Sequence, residues 1–220
     1  MQPVHRRMVQ QTLRVALLGT LAVLVVSACG GGGRQEQAEA RHLLKDEKPL
    51  PAGEYHTQEF KPSASFRLEK GWISEGEAAR QFAFSRDMGQ MGFSRVAEVY
   101  KPGTPGTEDV VEAPKDMVGW FQHHPYLQTD KPEPVTVGGV KGKQFDLVVV
   151  GDLPRVDVFK DELSGGAPIS FYPEEKVGII VLEDVKGETV TIDFESLRPD
   201  FDEFAPKAEK VLDTVEWRGS

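Results

Sequence analysis

Residues 177–194 read VGIIVLEDVKGETVTIDF, and this segment predicts a long hairpin at the centre of the fold. Its first part, residues 177–182, is apolar almost throughout, which is typical of a central strand covered on both faces. Lys186-Gly187-Glu188 supplies the turn, because glycine adopts positive φ angles without steric cost. We therefore expect a sheet at the core of the chain, with this hairpin in its middle.

Two further regions on the N-terminal side of this hairpin also predict strands. Residues 135–150 form a second predicted hairpin, which turns at Gly138-Gly139. Residues 66–100 alternate apolar with polar side chains, as half-buried strands of an antiparallel meander do. Residues 101–113 are rich in turn-forming side chains and are expected to connect this meander to the next element.

Two helices are predicted. Pro114 suits the first position of a helix that ends before Pro125. The second helix follows from apolar residues at spacings of three, four and seven over residues 201–215, which form one stripe that packs on the sheet. This helix begins either at Asp200, with Pro206 inside it, or at Pro206 itself.

Two regions are candidate contact surfaces. The first is the loop at residues 151–170, the least regular part of the domain, which contains an apolar patch with Phe159. Such a long loop in a compact domain is either functional or an insertion without consequence. The second is the end of the first helix, where Trp120, His124 and Tyr126 could rim an apolar cleft, although core packing of the tryptophan is the favoured alternative.

The N-terminal segment predicts export and lipidation. Residues 1–14 are polar and basic, and residues 15–28 form an uncharged apolar run that ends against Cys29. Because a membrane-spanning helix needs ~20 apolar residues, a cleaved signal peptide is the better interpretation of this run. Residues 26–28 read VSA and resemble the lipobox of bacterial lipoproteins. The resemblance implies cleavage between Ala28 and Cys29 and the attachment of acyl chains such as palmitate to Cys29. A secreted protein with an unmodified cysteine is the alternative.

Three regions are therefore expected along the chain. They are a lipoprotein signal peptide at residues 1–28, a lipidated flexible tether at residues 29–56 and a single globular domain at residues 57–220. Two or more acyl chains hold a protein stably on a bilayer, whereas one chain does not. We therefore expect a protein anchored to the cell membrane on its extracytoplasmic face.

Charge and cysteine content exclude several classes of function. The whole chain has a formal net charge of −9; without residues 1–28, which hold three arginines and no carboxylate, 23 basic residues face 35 acidic ones, a net −12. Such a field repels a phosphate backbone, so no nucleic-acid partner is expected. The single cysteine excludes an internal disulfide framework and a cysteine-rich zinc site.

No catalytic, metal or cofactor motif stands out. His123 and His124 are neighbours and would point about 100° apart on a helix, so they cannot bind one metal ion from the same face. We expect no cofactor, no metal and no enzymatic activity. The alternative is a cell-envelope hydrolase that uses paired carboxylates among Asp157, Asp161 and Glu162, which requires two acidic groups about 5–9.5 Å apart in a concave site.

The order of these features is similar to that of the PsbP-like lipoproteins of the LpqN type from actinobacteria. The residues that carry the resemblance are Gly71-Trp72 at a strand start, the hairpin at residues 135–150, the strand at residues 187–192 and the helix at residues 204–217. The resemblance implies an α+β fold, an α/β/α sandwich in which an antiparallel sheet of about six strands is flanked by helices. It also implies a binding or scaffold module for a protein or a cell-envelope ligand.

Overall fold

The computed structural model describes residues 40–43, 48–103, 105–106 and 109–219. Strands account for 51% of this structure and helices for only 10%. The predicted α/β/α sandwich with about six strands is therefore wrong, because the described chain is mostly β and builds large sheets with only two helices. Neither of these helices is long and apolar enough to cross a bilayer.

The elements are numbered in chain order. The helices are α1 (Met117–Gln122) and α2 (Phe201–Leu212). The strands are β1 (Arg41–His42), β2 (Lys48–Pro49), β3 (Gly53–His56), β4 (Ala64–Leu68), β5 (Ile73–Glu77), β6 (Gln81–Arg86), β7 (Gly89–Ser94), β8 (Glu98–Tyr100), β9 (Val110–Glu112), β10 (Leu127–Thr129), β11 (Glu133–Val137), β12 (Val140–Val149), β13 (Val156–Asp161), β14 (Ala167–Phe171), β15 (Glu175–Val185), β16 (Glu188–Leu197) and β17 (Glu216–Trp217).

The described strands form three sheets. The central sheet has the order β10-β12-β15-β16-β7-β6-β5-β2, with β11 paired to β12. The N-terminal sheet has the order β1-β3-β4-β17, and the outer sheet has the order β14-β13-β8-β9. The two predicted hairpins are confirmed as β15–β16 and β11–β12, and both turn through residues with positive φ, which include Gly187 and Gly139.

The central sheet carries a hydrophobic core on each face, which explains why its strands lack a simple alternation. One core joins it to the N-terminal sheet and α2, through large side chains such as Phe66, Phe82 and Phe204. The other core joins it to α1 and the outer sheet, through side chains such as Phe121 and Phe159. A sheet with two apolar faces needs a covering layer on each side.

Glycines allow two close approaches in the first core. A Cβ atom at Gly178 of β15 would lie 2.1 Å from Cζ of Phe194, which is its cross-strand partner on β16. A Cβ atom at Gly89 would lie 2.4 Å from the ring of Phe204, so α2 rests on the sheet at this glycine. At both positions an aromatic ring occupies the volume that a side chain would need.

The outer sheet lies where a helical layer was expected. Residues 151–170, predicted to be the least regular part of the domain, contain the antiparallel pair β13–β14, and β13 also pairs with β8. Within residues 101–113, predicted to be turns, lies β9, which pairs with β8. These pairings join segments that are distant in sequence, and local periodicity does not report them.

The helices differ from their predicted bounds. The first is only six residues long and begins after Asp116, whose side chain accepts a hydrogen bond from the Gly119 N–H at 2.7 Å. The second begins after Asp200 and contains Pro206, so the earlier of the two predicted starts is the one observed.

The folded part begins before residue 57, the predicted start of the globular domain. Strands β1, β2 and β3 lie in the region expected to be the tether, and Leu43, Leu50 and Tyr55 are buried in the first core. The predicted signal peptide and the start of the predicted tether lie outside the described residues.

Candidate functional site

A pocket opens where the central sheet meets the outer sheet, and it is called the inter-sheet pocket below. Its volume is about 270 Å³. The central sheet and the connection that leaves it supply Arg80, Gln81, Ser94, Arg95, Val96 and Ala97, and the outer sheet with its β13–β14 turn supplies Glu98, Phe159, Lys160, Glu162 and Gly166. Small-molecule sites are commonly concave clefts of ~300–1,000 Å³, and this pocket lies just below that range.

Ion pairs hold the walls of the inter-sheet pocket together. Arg80 Nε lies 2.6 Å from Glu162 Oε1, and the Arg80 backbone N–H donates to the other oxygen of the same carboxylate at 3.1 Å. Within the outer sheet, Lys160 Nζ of β13 donates to Glu98 Oε2 of β8 at 2.7 Å. The Glu162 backbone N–H donates to Gln81 Oε1 at 2.7 Å. The two sheets are thus bridged by hydrogen bonds as well as by apolar contact.

Two buried polar atoms of the pocket residues have no hydrogen-bond partner among the described residues. They are Ser94 Oγ and Arg95 Nε. Ser94 is only 5% exposed. Arg95 is held through another nitrogen, since its Nη2 lies 2.7 Å from Glu188 Oε1. A buried donor without a partner costs ~1–3 kcal/mol, so these two atoms are unusual among the buried polar groups of the described residues.

A buried polar row on β16 lies beside the pocket. Thr191 is the cross-strand partner of Ser94, and Asp193 is the partner of Gly92. Thr191 Oγ1 and Asp193 Oδ1 also lack hydrogen-bond partners in the described part of the chain. Burial, with a smaller contribution from the charge of Asp161, raises the pKa of Asp193 to about 7. The carboxyl group is therefore partly protonated near neutral pH.

The next residue of the same row extends this environment. Burial raises the pKa of Glu195 well above its ordinary value, and the charges of Asp193 and Glu175 raise it further. Side chains opposite Asp193 and Glu195 on β15 are Ile179 and Val177, which belong to the second core. The apolar side chains of β15 thus border Asp193 and Glu195 on one side.

Three of the residues predicted to bind a partner come together at the end of α1. The ring centroids of Trp120 and His124 lie 5.1 Å apart, and those of His124 and Tyr126 lie 6.1 Å apart. His124 is buried, its Nδ1 accepts from the Tyr126 N–H at 3.4 Å, and burial lowers its pKa to about 4. Trp120 and Tyr126 are half-buried against the second core.

Phe159, the fourth predicted binding residue, lies elsewhere. It is a core residue of β13, 2% exposed, and it lines the inter-sheet pocket. The structure therefore divides the predicted set into an aromatic cluster and a pocket residue. None of Trp120, His124 and Tyr126 lines the inter-sheet pocket.

The carboxylates considered for a hydrolase are all engaged by protein groups. Asp157 accepts hydrogen bonds from Arg155 at 2.7 Å and Ser170 at 2.6 Å. Although burial raises its pKa, these bonds hold the pKa of Asp157 below the ordinary value. Asp161 accepts from the Leu163 N–H within the turn, and Glu162 pairs with Arg80. Their geometry is that of structural groups.

No group of three or more His, Cys, Asp or Glu side chains in the described ranges could hold a metal ion. The lipidation candidate, Cys29, precedes the first described residue.

Sequence reasoning missed Ser94, Arg95 and Arg80. Ser94 ends a strand that is buried on both faces, so alternation does not reveal that this residue lines a pocket. A polar residue at the end of the apolar segment at residues 91–94 was the available signal. The partner wall comes from β13, and no local pattern indicates that it lies opposite.

Comparisons with known proteins give only distant likenesses. No protein-family model matches the chain, and no curated protein sequence matches it. Solved structures similar to it include cyanobacterial PsbP (CyanoP) from Synechocystis sp. PCC 6803, with 12% identity, 77% of this chain and 95% of that chain covered and a TM-score of 0.39. The Ran-binding protein Mog1p of Saccharomyces cerevisiae has 9% identity, coverages of 76% and 96% and a TM-score of 0.41.

LpqN, involved in cell envelope biogenesis of Mycobacterium tuberculosis, has 9% identity to this chain, coverages of 78% and 90% and a TM-score of 0.34. PsbP-like and LpqN structures, the proteins of the predicted resemblance, are thus among the structural neighbours. Similarity at this level supports no conclusion about ligand, partner or location.

Proposed function

We propose that this chain is a non-catalytic binding module, held on the extracytoplasmic face of a bacterial membrane by a lipid on Cys29. The inter-sheet pocket is the ligand site that we assign to it. One observation carries this assignment: Ser94 Oγ and Arg95 Nε, both in residues that line the pocket, are buried without a hydrogen-bond partner in the part of the chain that the structure describes. Buried polar groups are normally satisfied, so a bound molecule is the natural complement of these two.

The charges around the pocket restrict the ligand. Each of its three cations, Arg80, Arg95 and Lys160, already pairs with a carboxylate. A strongly charged ligand would have to displace one of these pairs, whereas a small molecule with one acceptor group and an apolar part would not. Phe159 offers the apolar contact, and Ser94 with Arg95 offers the donors. A small cell-envelope ligand of this kind fits the site.

The pocket assignment is tested by filling the pocket. We expect at least one small-molecule fraction of a cell-envelope extract to raise the melting temperature of the chain, and Ser94→Leu to abolish this rise. The leucine side chain removes the hydroxyl and occupies the cavity. A ligand at 100 times its dissociation constant stabilises a protein by ~2.7 kcal/mol, which a thermal-shift assay detects.

Two further variants make this result interpretable. Thr129→Leu places the same side chain on β10, away from the pocket, and should retain the response. Ser94→Ala removes only the hydroxyl, so it should weaken the response even if Ser94→Leu does not fold. An undiminished response in Ser94→Ala and Ser94→Leu would refute the pocket assignment.

The anchor has its own test. We propose that residues 1–28 are removed and that Cys29 is acylated, so Cys29→Ala should move the chain from the membrane fraction to the soluble fraction and abolish incorporation of radiolabelled palmitate. The described domain lies entirely after this position, so its melting temperature should not change. Gly31→Ala, two residues further on, should leave both labelling and fractionation as they are. An unmodified Cys29 in the mass spectrum of the native N-terminus would contradict the proposal.

A further inference from the structure

A second concave surface lies at one end of the N-terminal sheet, and it is called the basic cleft. Its volume is about 620 Å³, and its lining residues among those described are Ala40, Arg41, His42, His56 and Arg218. None of these residues is acidic. On a chain with 35 carboxylates and a net charge of −9, a concave surface lined by two arginines and two histidines is exceptional.

The sheet holds these side chains together. Strands β1 and β3 run parallel, with His42 beside His56, and the two imidazole centroids lie 4.2 Å apart. Arg218 follows β17 and is fixed from the other side, since its backbone N–H donates to Ser63 O at 2.7 Å. The cleft is therefore built by the first and last described strands of the chain.

The electrostatic environment of His56 is that of an anion site. Burial lowers the pKa of His56, and the charges of His42 and Arg218 lower it further. The charge of Glu77 raises the pKa of His56, but Oε1 of Glu77 already accepts hydrogen bonds from the backbone N–H groups of residues 58–60. His56 Nδ1 is buried and has no hydrogen-bond partner in the described ranges. An anion in the cleft would be attracted by the guanidinium groups of Arg41 and Arg218, which both line it.

The position of the cleft in the chain indicates the source of that anion. Ala40, the first described residue, lines the cleft and stands 11 positions after Cys29. Eleven residues span at most ~40 Å when fully extended. With a lipid on Cys29, the entrance of the chain into the cleft therefore stays within ~40 Å of the membrane surface. The rest of the acidic domain is repelled by a negatively charged surface.

We propose that the basic cleft binds the phosphate groups of anionic phospholipids and so turns this end of the domain towards the bilayer. Cations close to an anionic leaflet each strengthen membrane binding about fivefold, and the effect vanishes within a Debye length. The cleft thus adds an orienting contact to the lipid anchor. This inference builds on the membrane location proposed above, although its test does not require lipidation.

The test uses residues 29–220, the mature chain proposed above, with Cys29→Ala, so that neither lipidation nor the basic apolar segment at residues 1–28 plays a part. Hydrogen exchange at residues 40–43 and 216–219 is measured with vesicles of phosphatidylcholine and with vesicles that also contain phosphatidylglycerol. We expect protection of both segments with phosphatidylglycerol only, and its loss at high salt. Arg218→Glu should abolish the protection, whereas Arg218→Lys should retain most of it.

Lys115→Glu is the matched control, because it makes the same charge change at an exposed site next to α1, on the opposite face of the central sheet. It should leave the protection intact. The proposal would be overturned if both kinds of vesicle protected the two segments equally, or if neither kind protected them. It would also be overturned if Lys115→Glu lost as much protection as Arg218→Glu. Protection by inorganic phosphate as strong as that by the anionic vesicles would overturn it in favour of a site for free phosphate. Failure of the Cys29 test would leave this result unaffected.

Discussion

Asp193→Asn is expected to stabilise the chain at pH 8 by roughly 3 kcal/mol more than at pH 5. The carboxyl group of Asp193 is 4% exposed, and its pKa in the folded chain is raised from 3.8 to about 7. The folded state therefore holds a proton that the unfolded state loses above pH 3.8. The stability that this proton confers is complete below pH 3.8 and is lost as the pH rises through 7. Asparagine has no charge to bury, so it removes this loss.

The measurement is urea unfolding of both proteins at pH 5 and pH 8. Glu209→Gln removes a carboxylate from the exposed face of α2 and should change stability by a similar small amount at both pH values. Glu195 titrates in the same direction as Asp193, so the variant will keep part of the pH dependence of the parent chain. An Asp193→Asn effect of equal size at pH 5 and pH 8 would show that this carboxyl group titrates normally.

The buried imidazole of His124 should then dominate the acid side of the Asp193→Asn profile. Its pKa is lowered to about 4, so the stability from the neutral ring is present above pH 6.5 and is lost as the pH falls towards 4. In the parent chain, Asp193 and His124 therefore have opposite effects on how the free energy of unfolding depends on pH.

Gly178→Ala should destabilise the chain by about 3 kcal/mol, at the upper end of the range for overpacking. The new methyl group would lie 2.1 Å from Cζ of Phe194, whose ring is stacked on Phe201 of α2 with centroids 6.0 Å apart. Relief of this overlap requires the ring to move, which disturbs the contact between α2 and the sheet. Chemical denaturation at constant pH measures the loss.

A second substitution tests this explanation. Phe194→Leu leaves a cavity and is destabilising by itself. In the double variant with Gly178→Ala, however, the loss of stability should be ~1–2 kcal/mol smaller than the sum of the two single losses, because the smaller side chain makes room for the new methyl group. Gly219→Ala should be neutral, since nothing lies within 4 Å of its added methyl group. Strict additivity of the two changes would exclude the steric explanation.

The parts of the fold that were predictable are the ones with local signals. The β15–β16 and β11–β12 hairpins follow from apolar runs around glycine turns, and the stripe of α2 follows from helical spacing. The outer sheet depends on pairs such as Phe159 with Val99, which are far apart in sequence. Strands β1 and β2 have two residues each, too few to show any period.

The same distinction applies to the sites. The rings of Trp120, His124 and Tyr126 contact one another because one short segment carries all three, and their role in binding stays a prediction. The inter-sheet pocket joins residues from β7, β8 and β13, so its existence depends on the tertiary arrangement. Ser94 and Thr191 are small polar residues in apolar strands, and only their lack of partners distinguishes them from ordinary packed hydroxyl groups.

Because β1 and β17 belong to one sheet and Ala40 and Arg218 line one cleft, the two ends of the folded unit are close together in space. An affinity tag or fluorescent fusion after residue 220 would therefore crowd the side that we assign to the bilayer. The same proximity makes the domain a suitable candidate for circular permutation, because a short linker could join its two ends.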